Sequence, residues 1–245
     1  MNGVLRSVGR LSTRLLPRAA YPVVRGPLRG ARFVLGAMSG EGGGASVYFN
    51  MVEPEQTAVF STALKPGQVF FDIGANVGYY TVLGSRLVGL TGRVIAFEPV
   101  LRNLAYLYRH ILLNGAGNVT VVPAACADAM SIALFAAGED FATGRLRDEK
   151  SGSTFPVPVV SVDDVIRHVG ISPDVMKIDV EGAELSVLKG AQGALRTSRP
   201  AIFLSTHSDA LRGSCLEYLR GYGYTCDVLS HDKVNPSEFL ARPAP

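Results

Sequence analysis

The sequence predicts an α/β fold, a mostly parallel sheet with helices on both faces. Three observations carry this. Short apolar runs rich in Val, Ile and Phe recur along the chain, as in strands buried on both sides. Segments of helical periodicity separate them, and that alternation favours crossovers into a parallel sheet. One of the runs passes straight into a glycine turn and then a helix, over Val69–Thr81.

In chain order, Gly26–Gly36 and Val47–Val52 read as short extended pieces around a Gly40–Gly44 loop. Pro54–Leu64 reads as a helix, with Pro54 at its start and Glu55 in its first turn. Lys65-Pro66-Gly67 turns into the first core strand, and Tyr79–Leu90 is the helix after the glycine turn. Arg93–Phe97 is the second strand, stopped by Pro99, which has no N–H to give a ladder. Arg102–Asn114 places Leu104, Leu107, Tyr108 and Ile111 on one helical face. Asn118–Pro123 is a third strand and Ser131–Ala136 an extra one; Gly138–Thr154, polar and glycine-bearing, reads as a loop. Then come a strand at Val157–Val160, a helix at Asp163–Val169, a strand at Val175–Ile178 and a helix at Ala183–Leu195. The order ends with Ala201–Leu204 (strand), Asp209–Gly221 (helix), Tyr224–Leu229 (strand) and a short strand at Phe239–Ala241.

The glycine turn is the candidate ligand site. Val69, Phe70 and Phe71 suit a buried strand, and Asp72, Gly74, Ala75, Asn76 and Gly78 follow. Strand, glycine turn and helix N-terminus together make a nucleotide-sized pocket. The Gly-x-Gly-x-x-Gly spacing of a dinucleotide site is missing, which disfavours a nicotinamide enzyme. An acid in the turn suits a cationic ligand better than a phosphate. Glu98 ends the next strand roughly 20 residues on, where a carboxylate accepts hydrogen bonds from ribose hydroxyls.

Composition narrows the class. Of 245 residues, 47% are hydrophobic, enough for one large domain with a core. The three cysteines, Cys126, Cys215 and Cys226, form no CxxC pair, so no disulfide framework or zinc knuckle is expected and a reducing, cytoplasmic setting is. No apolar run reaches the roughly 20 residues needed to span a bilayer. The net charge of +3 hides an asymmetry: residues 1–40 hold seven arginines and no acid, leaving 17 basic against 21 acidic side chains, a balance of −4. A nucleic-acid-binding domain would carry a basic face on its core, so nucleic acid is not an expected partner. We therefore expect a basic extension over residues 1–45 and the domain over residues 46–245. Within the extension, Arg6, Arg10, Arg14 and Arg18 recur every fourth residue and make one stripe if helical. A solvated helix packed on the domain, a helix lying peripherally on an anionic membrane surface and a transit peptide all fit that stripe.

The pattern Phe71-Asp72-x-Gly74-Ala75-Asn76-x-Gly78-x-Tyr80-Thr81 with Phe97-Glu98-Pro99 resembles the S-adenosylmethionine site of class I methyltransferases. Together with Lys177-Ile178-Asp179-Val180-Glu181-Gly182-Ala183-Glu184 and Val187-Leu188-Lys189-Gly190 it resembles, more narrowly, the FkbM family. The resemblance covers the chain from about Gly26 to about Arg242 and includes Val159–Asp164. It implies a Rossmann-like class I methyltransferase fold with a mostly parallel seven-stranded sheet. S-adenosyl-L-methionine would be the cofactor, with methyl transfer to a small-molecule or glycan acceptor: a hydroxyl of a sugar, glycolipid or secondary metabolite, or an amide nitrogen. A cofactor-binding module without catalysis is the alternative of another class.

Under that resemblance Gly74, Ala75, Asn76 and Gly78 approach the amino-acid part of the cofactor, with Tyr80 and Thr81 in the same motif. Asp72 receives the ammonium, Glu98 beside Pro99 takes the ribose diol, and Asp128 contacts the adenine or is a plain loop acid. An aliphatic hydroxyl, with a pKa perhaps near water's value of about 15.7, needs a base or a metal to react. Asp179, Glu181 and His207 are the candidates, and Lys177 pairs with an acid or reaches the acceptor. The same three could hold a divalent metal, although no tight ligand cluster is evident. The family's fifth strand commonly ends in Glu-x-His; here it reads Ser205-Thr206-His207, and a serine is neither a charged base nor a strong metal ligand.

Overall fold

The computed structural model describes residues 17–38, 45–137, 144–147, 154–230, 232 and 234–244. The Arg6, Arg10 and Arg14 stripe and the Gly40–Gly44 loop lie outside those residues. Seven strands form the central sheet: β3 (Val69–Ile73), β4 (Arg93–Phe97), β5 (Val119–Val122), β10 (Val175–Ile178), β11 (Ala201–Ser205), β12 (Tyr224–Val228) and β13 (Glu238–Pro243). Their order is β12-β13-β11-β10-β3-β4-β5. Strands β5, β4, β3, β10 and β11 are parallel, and β13 is antiparallel to both its neighbours. The expected mostly parallel seven-stranded sheet is therefore present.

Both faces of the sheet are apolar because successive side chains point to opposite sides. Phe71, Ile73, Ile95, Met176, Ile178 and Leu204 pack on one face against helices α4 (Val162–Val169), α5 (Glu184–Lys189), α6 (Gln192–Arg196) and α7 (Asp209–Gly221). Phe70, Val94, Val175, Phe203 and Leu240 pack on the other against α1 (Pro54–Ala63) and α2 (Tyr79–Val88). Truncating one such buried phenylalanine to alanine costs about 3–5 kcal/mol. Helix α3 (Leu101–Leu113) covers the β4–β5 edge through Leu104 and Leu107.

Four expectations change. The expected boundary at residue 45 does not mark a packing boundary. Hairpin strands β1 (Ala20–Pro22) and β2 (Arg32–Val34) flank Leu28 and Ala31, and Leu28, Ala31 and Phe33 are buried in the same core as Phe70 and Leu83. The Val34 amide donates to His110 on α3 at 2.9 Å, tying that hairpin down. Residues Ala45–Phe49 form a 3₁₀ turn rather than an extended piece. The Gly138–Thr154 loop contains strand β8 (Gly144–Arg147), paired with β7 (Ser131–Ala137); the rest of it lies outside the described residues apart from Thr154, which opens β9 (Thr154–Val160). Those three strands with β6 (Ala125–Cys126) make a second, four-stranded sheet. The Ala183–Leu195 helix is broken in two at Gly190, whose α-carbon lies so close to Ala127 that an added Cβ would stand 2.0 Å from its carbonyl oxygen.

Candidate active site

The turn after β3 is shaped by close backbone contact. Gly74 has φ +88°, and a Cβ there would sit 1.9 Å from the carbonyl oxygen of Asp179. Only glycine lets the two strand ends meet in this way. The Gly74 and Ala75 amides donate to the carbonyl of Phe97 at 3.1 and 2.9 Å, fixing the turn to the end of β4. Gly78 caps α2, and Asn76 adopts φ +50°.

Glu98 locks the turn from the other side. Its Oε2 accepts from the Asn76 amide at 2.8 Å; its Oε1 accepts from the Val100 amide at 2.8 Å and from Asn103 at 3.3 Å. Burial pushes its carboxyl up to about 7, against these bonds, which favour the ionised form. A cleft opens here, lined by Gly74, Asn76, Glu98 and Pro99, by Ala124, by Ala125, Cys126 and Phe135 of the second sheet, and by Asp179, Val180 and Glu181.

Not every expected site residue reaches that cleft. Asp72 is buried inside β3, opposite Lys177 on β10. Its Oδ2 accepts from the Thr81 hydroxyl at 2.5 Å, and burial raises its carboxyl to about 6 although Lys177 and Thr81 pull the other way. Tyr80 is buried and donates its hydroxyl to Glu53 at 2.9 Å. Asp72, Tyr80 and Thr81 therefore support the turn from beneath. Asp128 is exposed, does not line the cleft, and accepts from the Ser186 hydroxyl on α5 at 3.0 Å.

Beyond β10 and β11 the structure gathers charge. Lys177, 3% exposed, reaches Asp179 Oδ2 at 2.7 Å and lies 4.6 Å from the Tyr80 ring centre. Burial works against ionisation of Asp179, but the Lys177 ammonium, its hydrogen bond and His207 together hold the carboxyl below its usual range. His207 Nε2 stands 3.5 Å from both Asp179 Oδ1 and Glu181 Oε2, and Nδ1 is 2.7 Å from Glu184 Oε1. The hydrogen bond to Glu184 raises the imidazole above its ordinary value; burial lowers it, and Asp179 and Glu181 add to the rise. Glu181, with φ +55°, lines the cleft and also a second, more open cavity that it shares with His207, Ser208 and Leu211. Among the described residues, no group of three His, Cys, Asp or Glu side chains is arranged to hold a metal ion.

Glu184 joins this cluster although the sequence gives it no role. It is fully buried on the first turn of α5, accepts from the Gly182 amide at 3.0 Å, and its Oε2 has no partner. Its place in the Lys177–Glu184 motif was visible in the sequence; its contact with a histidine 23 residues away was not.

A parallel sheet in this order, with a glycine turn after its first core strand and an acid at the end of the next, defines a class I methyltransferase fold. The family model of the methyltransferase FkbM domain matches residues 72–226, and the chain belongs to the FkbM methyltransferase family. It is 30% identical over 196 residues, 66% of its length, to the 31-O-demethyl-FK506 methyltransferase FkbM of Streptomyces tacrolimicus, of which it covers 74%. The fold is similar to that of the methyltransferase FkbM from Methylobacillus flagellatus, with TM-score 0.54 and 22% identity over 71% of this chain; the chain spans 43% of that protein. It is also similar to an S-adenosylmethionine-dependent O-methyltransferase from Thermotoga maritima, with TM-score 0.51 and 13% identity over 78% of this chain and 66% of that one. The chain is accordingly a methyltransferase. No helix among the described residues is long and apolar enough to cross a membrane.

Proposed function

We propose that the protein transfers a methyl group from S-adenosylmethionine to a hydroxyl oxygen of a small-molecule or glycan acceptor, with His207 as the general base. The residues of the cleft fit the cofactor. Glu98 offers carboxylate oxygens to a ribose diol, and the carbonyl oxygen of the Asn76 side chain is buried without a partner beside the turn, where it suits the amino-acid ammonium. S-adenosylmethionine supplies an electrophilic methyl group.

The observation that carries the reading is the hydrogen bond between His207 Nδ1 and buried Glu184. It favours the tautomer whose Nδ1–H donates to Glu184, leaving the Nε2 lone pair on the side of Asp179 and Glu181. A proton taken from the acceptor hydroxyl then rests on Nε2 between two carboxylates, which stabilise the imidazolium. Lys177 keeps Asp179 ionised for that purpose. A positioned base of this kind is worth roughly 10²–10⁴-fold in rate.

Two measurements test the reading. S-adenosylhomocysteine at 100 times its Kd should stabilise the protein by about 2.7 kcal/mol, or about 5–10 °C in Tm; no shift overturns the cofactor. Labelled methyl groups transferred into a fractionated extract should be recovered on oxygen. Label on nitrogen overturns the hydroxyl acceptor, and no transfer at all favours a binding module.

A further inference from the structure

Two neighbouring polar residues, Ser205 and Glu238, take no part in the mechanism above. Strand β13 pairs Glu238 with Ser205 at the end of β11. Ser205 is 7% exposed, and its hydroxyl has no hydrogen-bond partner. Leu204 belongs to the core under α5–α7 and Phe203 to the core under α1, so alternation puts Ser205 on the α1 face. The same alternation puts Glu238 on that face with Leu240, and Lys177 there with Val175.

The start of α1 stands over this face. Glu53, held at φ +38°, accepts from the hydroxyl of Tyr80 and from the side-chain Nε2 of Gln56, and Tyr80 in turn covers Lys177. Gln56 is fully buried with its Oε1 unpartnered. A left-handed conformation is strained at a non-glycine residue, and the Tyr80 and Gln56 bonds hold Glu53 in it. The charges of Glu53, Glu55, Lys177 and Asp179 all act on the Glu238 carboxyl. Burial, then the charge of Glu53, raise its carboxyl to about 7, with Lys177 opposing.

We propose that Glu238, Ser205 and Glu53 form the acceptor subsite, which takes a polyol through two neighbouring hydroxyls. Carboxylates accept strong hydrogen bonds from hydroxyl donors, and an unpartnered buried serine hydroxyl gains most from a ligand that completes it. The inference rests on the methyl-transfer reading of the adjacent cleft.

The experiment uses the full chain saturated with S-adenosylhomocysteine. Methyl α-D-glucopyranoside and myo-inositol are titrated in by NMR, with 1-propanol as the single-hydroxyl control. Both polyols should bind at least tenfold more tightly than 1-propanol. Glu238→Gln and, separately, Ser205→Ala should each remove that preference while leaving S-adenosylhomocysteine affinity within twofold. With labelled S-adenosylmethionine, transfer to the polyol should show a raised KM and little change in kcat in both variants. Equal binding of polyol and 1-propanol, or polyol binding unchanged in both variants, overturns the subsite. Failure of the wild-type chain to bind S-adenosylhomocysteine overturns the cofactor reading instead, so the two failures are distinguishable.

Discussion

The two halves of the site are built from different materials. The turn half, Gly74–Gly78 with Glu98, is made of backbone, and every hydrogen bond from its amides goes to a carbonyl or to Glu98. The other half, Lys177 to Glu184 with His207, is made of side chains that reach one another across two segments. Their carboxylates behave in opposite ways. Glu98 sits among neutral amides, and burial lifts it to about 7; Asp179 is also subject to desolvation, but Lys177 holds it low. The same functional group is thus lifted by burial in one half and held ionised in the other, because only one half contains a cation.

If the charged half does the chemistry, His207→Ala should show the largest effect, a fall in kcat of roughly 10²–10⁴-fold. Titration calorimetry with S-adenosylhomocysteine should find its affinity unchanged, and parallel losses of both would erase the division between halves. Gly74→Ala attacks the backbone half. Left-handed strain and the clash with Asp179 should cost about 3 kcal/mol, about 6–12 °C in Tm. Calorimetric scanning that shows less than 2 °C would mean the turn can relax away from β10.

Glu184→Gln sharpens the charged half. The wild-type rate should rise with pH through a value above the ordinary histidine 6.5, because a base at His207, as proposed, works only when neutral and its partners favour the charged form. The variant should lose about tenfold in rate, in line with one hydrogen bond to a charged group, and its pH–rate limb should move to lower pH. An unmoved limb assigns the titration elsewhere. The remaining test concerns the support beneath the turn and reads stability alone. Asp72 has a folded value of about 6 against an ordinary 3.8, so its contribution to stability is complete below the ordinary value and is lost as pH rises through about 6. Denaturant melts from pH 4 to 8 should show a decline of about 2–3 kcal/mol from this group, flattened in Asp72→Asn.

Much of the turn half was legible in the chain. Val69–Thr81 and Glu98 carry strand, turn, helix and acid in local order, and local order survives folding. The supports were less so: Asp72 looked like a ligand contact because it precedes the glycines, but β3 continues through it and buries it beside Lys177. Asp128 looked like an adenine contact because it follows a strand, yet the bond to Ser186 turns it to α5. Strand β8 was missed because Arg145-Leu146-Arg147 is a strand alternation too short to stand out from its polar surroundings.

The sequence by itself determined the α/β class, the glycine turn, the acid on the next strand and the motif from Lys177 to Glu184, because each depends on neighbours a few residues apart. Only the tertiary structure decided that Glu184 holds His207, that Lys177 lies against the Tyr80 ring, and that Glu238 stands opposite Ser205. Those pairings depend on the insertion of β13 between β11 and β12 and on the register of strands far apart in the chain. No local pattern encodes that register; it is set by burying both faces of one sheet at once.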